Sequence, residues 1–134
     1  MPPLAASAPI DAQLDFLAWL HWMWAGFNTV IGVVMGASAI AVAILAGTGP
    51  AAADVAAGVT AGAFFFVALA AFTWGGAHAW CGRALLRRQR WGRIAALAFA
   101  LFNAPLFPLG TLLAGYTAWL LLQGAGRERF EALA

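Results

Sequence analysis

Two histidines, His21 and His78, and one cysteine, Cys81, are the residues of this 134-residue chain whose types most readily do chemistry. Histidine ligates metals and haem and moves protons near neutral pH. Because His21 and His78 fall toward the same end of their apolar runs, a haem held by both is the first cofactor to weigh. A single-histidine haem, a pigment, or a ligand bridging two protomers are its variants. Copper held by His21, Met23 and Cys81 fails, because His21 and Met23 project about 200° apart on a helix. Asn28 lies seven residues after His21, on the same helical side, and is the second polar candidate. A polar side chain inside a membrane helix is a functional hypothesis by default, and its plain alternative is an interhelical hydrogen bond. No nucleophile–base pair, carboxylate pair, phosphate loop or metal spacing accompanies these residues, so an enzyme is not expected. Cys81 has no intrachain partner and reads as a small thiol.

The elements that must position these groups follow from composition. The chain is 64% apolar and 9% charged, against about 45–50% and about 25% in soluble domains. That excludes an ordinary soluble domain, a nucleic-acid binder and a disordered chain. The twelve charges are grouped, leaving uncharged runs of 38 residues from Phe16 to Ala53, 28 from Val55 to Gly82 and 33 from Ile94 to Gly126. About 20 apolar residues cross a bilayer, and lipid offers the backbone no hydrogen bonds, so each run is expected to be helical. The chain is read as all-α, an integral membrane helical bundle. Residues 1–10 are expected to be a disordered arm, 11–126 a single transmembrane domain with Asp11 as first N-cap, and 127–134 a charged tail.

Orientation rests on Arg83, Arg87, Arg88, Arg90 and Arg93, expected to form a cytoplasmic loop over 83–93 that meets lipid headgroups. The N-terminus then lies in the cytoplasm, and Gly47-Thr48-Gly49-Pro50 forms an outside loop. Trp19, Trp22, Trp24, Trp74, Trp80, Trp91 and Trp119, with Tyr116, suit an interfacial aromatic belt. The last run is broken by Pro105 and Pro108, with Gly110 and Thr111 following. Four transmembrane helices, the last two short, are preferred. Three, with a kinked last helix, are the alternative.

Helix association in lipid relies on small residues. Gly32 and Gly36 in the first run and Gly58 and Gly62 in the second would sit at similar depth, predicting a crossing there. His21, Asn28, Gly32 and Gly36 share one face, the pore or packing face. His78 falls opposite Gly58 and Gly62, with Trp74, Val67 and Ala71. If the runs meet through their glycines, His78 points away from His21. No resident cofactor is therefore expected, and His21 and His78 are the residues that would bind one.

Cys81-Gly82-Arg83, the arginine run, and Asn103 to Leu122 resemble a group of small, uncharacterised polytopic bacterial membrane proteins. These carry Pro-Leu-Gly-Thr followed by Gly-x-Tyr-x-x-Trp; Pro108 to Thr111 match the first, and Tyr116 and Trp119 keep the aromatic spacing of the second, with Gly115 directly before Tyr116. The resemblance implies a multi-pass protein of the bacterial inner membrane and brings no activity with it. Its physical content is a helix break in which Thr111 satisfies freed backbone groups.

The expected function is non-catalytic helix association, as an accessory subunit of a membrane complex or a homo-oligomer. A homo-oligomeric channel or passive pore, and a haem- or pigment-binding subunit, are the alternatives. The expected partners are the lipid bilayer and itself or other membrane subunits, with no nucleic acid and no soluble substrate.

Overall fold

The computed structural model describes residues 8–46 and 51–131. The expected arm over 1–7 and the expected turn Gly47-Thr48-Gly49-Pro50 lie outside the described residues. Five helices and no strand occur among them: α1 (Ala8–Ala46), α2 (Ala51–Leu86), α3 (Arg90–Asn103), α4 (Leu109–Leu122) and α5 (Gly124–Glu131). At about 1.5 Å per residue, the 39 residues of α1 run about 58 Å and the 36 of α2 about 54 Å. Within α1, proline occurs only at the second position, where a helix has no backbone donor to lose. Helix α1 already includes residues 8–10, and Asp11 lies in its first turn rather than at its cap.

Among the described residues, two helices are long and apolar enough to cross a membrane: Ile10–Ala46, mean hydropathy 2.4, and Asp54–Leu86, 2.2. The last apolar run is not one kinked helix. It divides into α3 and α4 across residues 104–108, where Pro105 and Pro108 lack the donors a helix needs, and the Phe107–Pro108 peptide is cis.

The chain forms two compact units, one of Met1–Met23 with His78–Ala134 and one of Trp24–Ala77. In the second, α1 and α2 run antiparallel. A Cβ added at Gly36 would meet Ala68, one at Gly32 would meet Phe72, and one at Gly75 would meet Ala25 and Asn28. Gly58 and Gly62 have nothing within 4 Å of such a Cβ. The predicted crossing of the two glycine motifs is thus not how these helices meet. The glycines of α1 instead receive α2 through Phe72 and Ala68, because a ring fills the groove that two glycine faces would leave empty.

In the first unit, α3 and α4 form an antiparallel hairpin. Gly92, Ala96, Ala100 and Asn103 are the buried side of α3, and Gly110, Leu113, Ala114, Thr117, Leu120 and Leu121 that of α4, both at helical spacing. Arg93 Nε donates to Leu121 O at 3.2 Å, tying the hairpin's open end. The expected charged tail is largely helical: α5 runs through Glu131 and buries Phe130. Nor is 83–93 a loop. Arg83 lies in the last turn of α2, Arg90 and Arg93 lie in the first turn of α3, and only Arg87, Arg88 and Gln89 connect the two helices.

That connection is a Schellman motif. Arg88 N–H donates to Leu85 O and Gln89 N–H to Ala84 O, each at 3.0 Å. Arg88 takes the left-handed conformation usually given to glycine, with φ 52°. Its guanidinium offsets that strain by donating to Leu85 O at 2.9 Å, Asp11 O at 3.1 Å and Asp15 Oδ1 at 2.9 Å. Arg129 forms a paired contact with the Asp11 carboxylate. The start of α1, the end of α2 and α5 are therefore tied at one end of this unit.

Candidate functional site

Helices α1, α2 and α3 each bring one polar side chain to a common buried position. His21 is 1% exposed, and His78 and Asn103 are both 0%. His21 Nδ1 and His78 Nδ1 lie 2.9 Å apart. His78 Nε2 lies 3.3 Å from Asn103 Nδ2. Phe99, one turn before Asn103, covers the pair, with its ring centroid 4.6 Å from that of His78 and 6.4 Å from that of His21.

This corrects the expectation that His78 points away from His21. Ala68, Phe72, Gly75 and His78 recur at three- and four-residue spacing, so they lie on one side of α2. The side carrying Phe72, rather than Gly58 and Gly62, faces α1, and His78 belongs to it.

Two hydrogen atoms cannot both lie between the Nδ1 atoms, so one histidine donates and the other accepts. With the asparagine amide donating to His78 Nε2, His78 donates from Nδ1 to His21 Nδ1, and His21 carries its hydrogen on Nε2. With the amide turned over, every direction reverses and His21 Nε2 becomes a bare acceptor. Neither arrangement gives partners to the two ends of the chain, since His21 Nε2 and Asn103 Oδ1 are buried without a hydrogen bond among the described residues. The two Nδ1 atoms, 2.9 Å apart, stand closer than the about 3.3 Å that two nitrogens at about 2 Å from one tetrahedral ion would keep. No group of three or more His, Cys, Asp or Glu residues able to hold a metal occurs among the described residues.

Asn28 is not part of this cluster. Its amide nitrogen donates to Trp24 O at 2.9 Å in its own helix, and Thr29 similarly donates to Ala25 O. Cys81 is buried, its sulfur 3.8 Å from Gly92 O. Thr111 donates to Ala104 O at 2.7 Å across the α3–α4 break. Sequence reasoning missed Asn103 as a site residue. The available signal was an amide deep in an apolar run, two residues before Pro105.

Comparison with protein family models, curated proteins and solved structures finds no match.

Proposed function

We propose that this chain is an integral membrane protein whose four longer helices insert in the bilayer, with both ends on the cytoplasmic side, and that it acts without catalysis by lateral association. Membrane insertion is supported by how little the apolar helices bury. Only 11% of the most apolar window of Ile10–Ala46 is buried and 6% of that of Asp54–Leu86, whereas a core helix of a soluble protein is mostly covered. The first unit's charges favour a common cytoplasmic end, because the end of α2, the α2–α3 connection, the start of α3 and α5 hold all seven arginines. Helices α3 and α4, 14 residues each, are short for full spans and suit a hairpin that enters from that side.

The observation that carries association is the open side of α2. Gly58 and Gly62 meet nothing within 4 Å, while Val55, Val59, Phe66 and Leu69 beside them are exposed. In lipid such a surface gains its contacts from another helix that approaches closely. The asparagine amide of Asn28 is used within its own helix, which favours association over a pore lined by that residue. The test is native mass measurement in lipid nanodiscs. The wild type is expected as an oligomer or with a co-purifying membrane subunit, and Gly58→Ile with Gly62→Ile as a monomer. A wild-type monomer without partners overturns the reading.

A further inference from the structure

The arginines at the α2–α3 connection are not equivalent. Arg88 is fixed by Asp11, Asp15 and two carbonyls, Arg93 by Leu121 O, and Arg127 and Arg129 by Glu131 and Asp11. Arg90 has no ion pair among the described residues but lies close enough to Glu131 to lower its pKa. Arg83 and Arg87 are left with no side-chain hydrogen bond or salt bridge among the described residues. They stand four apart, at the end of α2 and just past it, where like charges repel rather than stabilise.

Both line one open cleft of about 350 Å³, together with Trp80, Ala84, Gln89 and Trp91. The indoles of Trp80 and Trp91 lie with ring centroids 4.9 Å apart and are 67% and 38% exposed. Two features remove the opposition an anion would meet here. The carbonyls of Leu85 and Ala84 at the end of α2 are already satisfied by the amides of Arg88 and Gln89. The first turn of α3 reaches the cleft at Gln89 and Trp91, and Gln89 gives it no side-chain cap, so that helix end favours negative charge.

We propose that this cleft binds the phosphate headgroup of an anionic phospholipid. Arg83 and Arg87 supply charge-assisted hydrogen bonds to the phosphate oxygens, and Trp80 and Trp91 hold the headgroup level as interfacial anchors. The inference rests on the membrane-insertion part of the function proposed above and not on association.

The test compares the protein in phosphatidylcholine nanodiscs with and without a minor fraction of phosphatidylglycerol, counting lipids retained by native mass spectrometry. The wild type is expected to retain phosphatidylglycerol saturably. Arg83→Gln and Arg87→Gln should each weaken retention about fivefold, and the double variant about 25-fold, as one near-surface cation each implies. Arg90→Gln, which changes charge at the same end outside the cleft, should leave retention unchanged. Equal loss in Arg90→Gln overturns the site in favour of diffuse attraction. Displacement by inorganic phosphate without lipid retention overturns the lipid as source. Should the double variant not fold, non-saturating retention by the wild type overturns the proposal by itself. A chain that does not enter nanodiscs at all fails the insertion reading instead, so the two failures are distinct.

Discussion

His21 and His78, 57 positions apart in the chain, share one hydrogen bond of 2.9 Å between their Nδ1 atoms in a site closed to solvent. Removing one ring leaves the other with an unmet buried nitrogen, which costs about 1–3 kcal/mol. His78→Leu is therefore expected to destabilise the protein by that order in detergent unfolding. His21→Leu with His78→Leu together is expected to cost clearly less than the two single changes added, since the pair is lost once. A strictly additive double variant would show that the rings do not interact. Nitrogen–nitrogen scalar coupling across the bond gives an independent check.

Arg88 makes a second prediction with opposed effects. Glycine and alanine at this position both remove the guanidinium contacts, but only alanine keeps a Cβ in the left-handed conformation at φ 52°. That Cβ costs about 1–2 kcal/mol. Arg88→Gly should therefore unfold later than Arg88→Ala, by about 1 kcal/mol. Equal stabilities would mean that the Schellman turn does not persist in the variants.

The grouping of charges made the apolar runs legible, and Pro105 with Pro108 made the break between α3 and α4 legible. What failed was rotation. Gly58 and Gly62 suggested the face by which α2 meets its neighbour, yet spacing cannot say whether a glycine groove receives another glycine groove or a ring such as Phe72. An error of that kind turns His78 to the wrong side, and the His21–His78–Asn103 cluster disappears with it. The arginines show the same limit. Five in eleven residues read as a loop, but the helical propensity of arginine and leucine carries α2 through Leu86, and three residues suffice for the turn.

Glu131 gives the pH dependence. Its hydrogen bond from Arg127, four residues earlier, holds its carboxyl below the usual glutamate value, helped by the charges of Arg127, Arg93 and Arg90. A depressed acid stabilises the folded form above its unfolded value and loses that contribution as pH falls through the folded one. Amide exchange in α5 should therefore be slowest, relative to its intrinsic rate, at neutral pH and lose protection in the acidic range below the ordinary glutamate value. Arg127→Gln should lessen that dependence. An α5 protection factor flat across the acidic range would show that the pair does not hold this helix.

The break between α3 and α4 depends on a glycine that its own hairpin leaves no room to replace. A Cβ at Gly110 would lie 2.6 Å from Asn103 O and 2.5 Å from Leu106 Cβ, and Gly110 N–H donates to Leu106 O at 2.8 Å. The carbonyl cannot retreat without moving Asn103, whose side chain reaches His78. Gly115, one turn further along α4, meets nothing within 4 Å, so alanine there should be neutral or stabilising by up to about 1 kcal/mol through helix propensity. Gly110→Ala should instead cost about 1–3 kcal/mol, as forced overpacking does, and disturb the His21–His78 coupling at a distance. Matched stabilities for the two alanine variants, with that coupling unchanged, would disconnect the turn from the polar cluster.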